Sequence, residues 1–236
     1  MSEGWGPRLL GEAAGTAILV GVGTGAIVAA ARVGGVPQAV LAVAWFAAVA
    51  IPIALFGRWS GAHLNPAVTL ALVVAHRFPP RYAAPYVGAQ VAGAFVGSAA
   101  VLGLLGSGAH LGATVPRGGN VALVVPLEFS FTVLLLLAVL VAVVRPTVRA
   151  ALLLPPAAVG LATFVIGPWT GCSLNPARTL APAVLSGDYV GLGAYLVAVP
   201  AAALVVGMLA RRSTRAARRL DRSATGPPGS ADRGAR

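Results

Sequence analysis

Gly61-Ala62-His63-Leu64-Asn65-Pro66-Ala67-Val68-Thr69 and Gly171-Cys172-Ser173-Leu174-Asn175-Pro176-Ala177-Arg178-Thr179 are two versions of one pattern in a 236-residue chain that is otherwise almost wholly apolar. Asn followed by Pro has a definite local meaning. Asn is a preferred helix N-cap, and Pro suits the first helical position because its missing N–H would be unpaired there anyway. Each copy therefore predicts a helix, one starting at Pro66 and one at Pro176. A helix N-terminus presents unpaired N–H groups and about half a positive charge. Two such ends among apolar spans are costly unless they line something wet. Buried, wet and electropositive describes a pore.

Composition sets the surroundings. Hydrophobic residues make up 58% of the chain and charged residues only 10%, where a soluble α/β protein would carry about a quarter charged. The reading is a polytopic membrane protein without a soluble domain. All 17 basic residues are arginine, and nothing functional is drawn from the absence of lysine. The single cysteine, Cys172, excludes an intramolecular disulfide framework. No cleavable signal pattern is present, so the apolar stretch after Arg8 is expected to remain as a span.

Apolar segments of spanning length run over about 9–31, 38–57, 82–105, 121–144, 148–168 and 189–210, each near the ~20 residues a bilayer requires. Two shorter stretches, Pro66 to about Arg77 and Pro176 to about Leu185, are too short to cross. They read as half-helices of roughly 15 Å that enter the membrane and can meet at its midplane. The expected fold is thus an all-α membrane protein with six transmembrane helices and two re-entrant half-helices.

Arginine placement orients this topology. With both termini cytoplasmic, Arg8, Arg58, Arg77, Arg81, Arg145, Arg149 and the eight tail arginines fall inside, while Arg32, Arg117 and Arg178 fall outside, as the positive-inside bias demands. The repeat extends beyond the boxes, because Glu12-Ala13-Ala14-Gly15-Thr16 in the first span pairs with Glu128-Phe129-Ser130-Phe131-Thr132 in the fourth. Three spans separate equivalent elements, an odd number, so the halves, about 8–106 and 121–210, must be inverted in the membrane. Residues 1–210 form a single channel domain on this reading, and 211–236 a basic, disordered cytoplasmic tail. Small residues at four-residue spacing (Gly11 and Gly15, Gly21 and Gly25, Ala89, Gly93 and Gly97) predict close helix approach.

Six spans, an inverted repeat and two Asn-Pro-Ala boxes, the second followed by Arg178, together resemble the major intrinsic protein family, the aquaporins and aquaglyceroporins. The match covers roughly residues 8–210. The resemblance implies that family's fold, a homotetramer and passive conduction through each subunit. It also implies pore roles for Asn65, Pro66, Ala67, Asn175, Pro176 and Ala177, whose asparagine amides would orient a passing water or hydroxyl by its oxygen. The facing helix ends would oppose protons and cations.

By distance from the box asparagines, the family's selectivity-filter positions fall on Trp45, Thr163 and Cys172, with Arg178 as the fourth. Arg178 offers a rigid donor fork and repels cations. A one-residue slip would exchange Trp45 for Phe46. Thr163 rests on the length of chain around Pro168, and the other reading of Cys172 is a small buried hydrophobe. His63 is expected to flank the cytoplasmic pore. Glu12 and Glu128 lie where ionised carboxylates are costly, and the resemblance makes them acceptors for the re-entrant loop backbones; the other reading is a proton relay. No metal site is expected from His76 or His110, and no cofactor or nucleic-acid partner. The basic tail reads as a topology anchor or an anionic-lipid contact.

Trp45 and Thr163 lack the Phe and His pairing usual in strict water channels of the family, which predicts a somewhat wider pore, while Thr179 stands where aquaglyceroporins usually carry Asp. The expected function is a passive channel in the cell membrane for water and other small neutral solutes. The alternative is an aquaglyceroporin-like facilitator of glycerol or neutral metalloid hydroxides such as arsenite. A proton-coupled secondary transporter and a structural membrane protein are the remaining readings, and no enzymatic activity is expected.

Overall fold

The computed structural model describes residues 4–224. Its order is α1 (Trp5–Arg32), α2 (Gln38–Ser60), α3 (Pro66–Val74), α4 (Ala83–Leu105), α5 (Val124–Val144), α6 (Val148–Thr170), α7 (Pro176–Ser186) and α8 (Leu192–Ala224), joined by short 3₁₀ turns and loops. Among the described residues six helices are long and apolar enough to cross a membrane. The other two, α3 of 9 residues and α7 of 11, are the half-helices that follow the boxes. No strand occurs among the described residues.

Both half-helices start as the Asn-Pro pairs dictate. Asn65 and Asn175 stand in extended conformation with their side-chain oxygens capping Ala67 N–H and Ala177 N–H, and a proline opens each first turn. Their ends are local too. The helix α3 stops at Val74, short of the expected Arg77, because His76 adopts a left-handed conformation (φ 59°) and the Arg77 N–H bonds back to the Leu72 carbonyl at 2.8 Å. That is a left-handed helix stop made without glycine.

Packing crosses between the halves. The half-helix α3 lies against α8 of the other half, and α7 against α4. Ala67, Val68, Ala71 and Leu72 of α3 share an apolar cluster with Val199, Ala203 and Val206 of α8 and Leu136 of α5. Neither half can bury its half-helix alone. The two halves also meet along α2 and α6, where Gly160 lies close to the Ala42 carbonyl.

The small-residue spacings serve these approaches. A side chain at Gly93 or Gly97 of α4 would fall on the carbonyl oxygen of Ala13 or Ala17 of α1. Contact between backbones leaves no space for even a methyl group, and its stabilisation comes from dispersion between closely packed atoms.

The helix α8 runs to Ala224, into the basic stretch expected to be disordered. Ala, Arg and Leu dominate that run and favour helix. Extending an existing helix also carries no nucleation cost. The remainder of the tail, from residue 225, lies outside the described residues.

Candidate functional site: a buried pore at the meeting of two half-helices

Each half-helix is preceded by a loop with an unusual backbone. Gly61 (φ 85°) and Gly171 (φ 73°) end α2 and α6 in left-handed conformation, and Ala62, Leu64, Cys172 and Leu174 follow with φ between 45° and 54°. Non-glycine residues hold such conformations only where their surroundings over-determine them. Here a buried carboxylate does so. Glu12 accepts from His63 N–H at 2.9 Å and Leu64 N–H at 2.8 Å. In the other half Glu128 accepts from Ser173 N–H at 2.9 Å and Leu174 N–H at 3.0 Å. Successive N–H groups in left-handed turns form a concave anion site, and in each half a glutamate from the first helix fills it.

The correspondence continues residue by residue. Ser60 and Thr170 accept from Ala62 N–H and Cys172 N–H, and Tyr86 and Tyr195 donate their hydroxyls to the Ser60 and Thr170 carbonyls. His63 Nδ1 and Ser173 Oγ meet Thr69 and Thr179 respectively. One feature lacks a counterpart: Gln90 donates to Glu12 at 2.7 Å and to Thr69 at 3.0 Å. In the second half Thr170 supplies the comparable donor, its hydroxyl meeting Glu128 at 2.7 Å.

Between the two half-helices the boxes interlock. Asn65 Nδ2 donates to the Leu174 carbonyl at 2.8 Å, and Asn175 Nδ2 donates to the Leu64 carbonyl at 2.8 Å. The two helix N-termini therefore face one another, each tied to the other's loop.

A cavity of about 750 Å³ is lined by Arg58, Arg77 and Thr147, by His63, Asn65 and Asn175, and by Trp45 and Arg178. Its lining combines apolar side chains, Leu19, Val49, Ile53, Leu135 and Val159 among them, with residues of the two loops. Arg178 is fully buried. It donates to the Gly112 carbonyl at 2.9 Å and the Gly171 carbonyl at 3.4 Å, while its Nε–H has no protein acceptor. Its guanidinium carbon lies 4.7 Å from the centre of the Trp45 ring.

The four residues assigned to the filter fall into two pairs. Trp45 and Arg178 are stacked and line the cavity. Thr163 and Cys172 are buried neighbours, with Oγ1 and Sγ 3.9 Å apart, and Cys172 packs among Leu135, Ala158, Ala162 and Ile166. Phe46, the alternative to Trp45, lies against Gly160 of α6. Pro168 sits inside α6, so an unbroken helix joins Thr163 to Thr170. His110 pairs with Asp188 at 3.0 Å. No cluster able to hold a metal occurs among the described residues.

The profile of the family described as "Major intrinsic protein" matches residues 5–210. This chain is a member of the major intrinsic protein family. Among its relatives, Aquaporin NIP1-3 of Oryza sativa subsp. japonica is 37% identical over 195 residues, covering 80% of this chain and 67% of that one. Nodulin-26 of Glycine max is 34% identical over 198 residues, covering 81% and 72%. The X-ray structure of the aquaglyceroporin from Plasmodium falciparum superposes with a TM-score of 0.79 at 27% identity, covering 92% of this chain and all of that one. Membership makes this an integral membrane protein.

Several features of this major intrinsic protein's site escaped the sequence reading: Gln90, Ser60, Thr170, Tyr86 and Tyr195, and the loop contacts made by the box residues Thr69 and Thr179. Aligning the halves outward from the boxes exposes most of them, since Ser60 and Thr170 each precede a box glycine and Thr69 and Thr179 each close a box. Gly112, which holds Arg178 through its carbonyl, carries no such signal.

Proposed function

We propose that this protein is a passive channel for water and small neutral solutes, glycerol among them, with no covalent step. The observation that carries the reading is the reciprocal Asn65–Leu174 and Asn175–Leu64 pairing on the cavity wall. A side-chain amide has two N–H bonds. Each asparagine spends one on the facing loop and keeps one for a permeant oxygen. Two facing helix N-termini add a positive field that a neutral solute ignores and a proton or cation does not.

Solute choice is assigned to Trp45, Thr163, Cys172 and Arg178. The free Nε–H of Arg178 supplies a donor, and the Trp45 indole supplies an apolar face suited to the carbon side of a polyol. That pairing, with the aquaglyceroporin likeness, favours glycerol or neutral metalloid hydroxides beside water. The saturated partners of Glu12 and Glu128 argue for a structural role over proton coupling.

The arginine distribution supports cytoplasmic termini, which puts the end of the cavity lined by Arg58, Arg77 and His63 on the cytoplasmic side. A homotetramer in the cell membrane is the assembly proposed. Osmotic water flux and glycerol flux into proteoliposomes test the function: both should exceed those of empty vesicles, and flux that requires a proton gradient would replace this reading with a transporter.

A further inference from the structure

Trp45 is seated against a residue outside the proposed filter. Gly23 of α1 is buried and absent from the cavity wall. A Cβ placed there would lie 2.6, 2.6 and 2.7 Å from three carbons of the Trp45 ring. All three belong to the outer six-membered edge of the indole, so the missing side chain of Gly23 is the recess in which that edge sits.

The backbone around the contact is itself closely packed. Behind α1, Gly97 of α4 packs against the backbone of Ala17 and Gly21, so the helix has no room to retreat. Beside Gly23, Thr24 bears on Gly112, where an added Cβ would lie 2.9 Å from Thr24 Cβ. Gly112 in turn holds Arg178 through its carbonyl. The Gly23–Thr24 turn thus touches both walls of the filter, the indole directly and the guanidinium through Gly112. A methyl group at position 23 leaves the indole as the part that moves, and Arg178 lies across its face.

We propose that Gly23 is a selectivity-determining position: by seating the edge of Trp45 it keeps the indole from being pushed along its own plane into the path beside Arg178, and so keeps the filter wide enough for solutes larger than water. This rests on Trp45 and Arg178 forming the filter.

The test is a cycle of Gly23→Ala, Trp45→Phe and the double variant, each purified into liposomes, with glycerol and water permeability read in the same preparation. Gly23→Ala should lower the glycerol-to-water ratio by about tenfold, the low end of what one methylene does in a tight site. The shorter Phe ring does not reach the contacting edge, so Gly23→Ala should change nothing in the Trp45→Phe background. Alanine favours helix over glycine, so α1 itself is not weakened.

An unchanged ratio in Gly23→Ala, or the same change in both backgrounds, overturns the inference. If Trp45→Phe alone leaves the ratio untouched, the filter assignment fails instead. A wild-type channel that excludes glycerol likewise overturns the inference.

Discussion

Arg178 of α7 rests on the face of Trp45 of α2, its guanidinium carbon 4.7 Å from the ring centre, so the two halves of the repeat meet at the proposed filter as a cation on an aromatic surface. Away from water such a contact is worth about 2 kcal/mol. With two backbone carbonyls also accepting from Arg178, the charge is held in place, and its Nε–H remains unspent.

Replacing Arg178 with Val removes the filter's positive charge and its donor together. Proton and cation leak, followed with a pH-sensitive dye enclosed in the vesicles, should rise while water flux persists. Unchanged selectivity would take Arg178 out of the conduction path. Gly112 and Gly171 would each lose a donor, so thermal stability in detergent should fall by about 2 kcal/mol.

Asn175→Ala should be more harmful to stability than Asn65→Ala. Asn175 caps two N–H groups, Ala177 and Arg178, where Asn65 caps one. Each loss costs about 1 kcal/mol for the cap and leaves a carbonyl of the facing loop without its side-chain donor, for about 1–3 kcal/mol more. Unfolding midpoints of the two variants give the comparison; equal midpoints would mean that the additional cap bond contributes nothing.

Glu128→Gln presents an amide N–H where the loop also donates. Glu128 accepts from Thr170, Ser173 and Leu174, and glutamine offers a single oxygen. Stability should drop by about 2–4 kcal/mol as at least one buried donor loses its acceptor. A variant as stable as wild type would show that the carboxylate is not what fixes the left-handed turns at Cys172 and Leu174.

Cys172 is the chain's single cysteine, so thiol chemistry reports on one place. Buried beside Thr163, it should react slowly with an organic mercurial and block water flux, and Cys172→Ser should be insensitive. Block that survives in the serine variant would arise from something other than the filter.

The legible part of the fold came from periodic and chemical signals that act locally. Asn-Pro fixed the starts of α3 and α7, and hydrophobic length fixed the six spans to within a few residues. What stayed hidden depends on contacts between distant segments. The end of α3 turns on a left-handed His76, a conformation no residue type there announces. Gln90 reads as one polar residue in a span until Glu12 and Thr69 are brought to it, and Gly112 matters through a carbonyl, which every residue has. Helix α8 outran its expected end because charge composition describes solubility, whereas continuation of a helix depends on propensity and an existing nucleus.

The most direct test of the central claim is stopped-flow light scattering on purified protein in liposomes, with an impermeant osmolyte, then glycerol, and a pH-sensitive dye inside the same vesicles. Water and glycerol permeabilities should exceed those of empty vesicles with no accompanying change of internal pH. Permeabilities equal to those of empty vesicles, or water flux accompanied by proton flux, would contradict that claim.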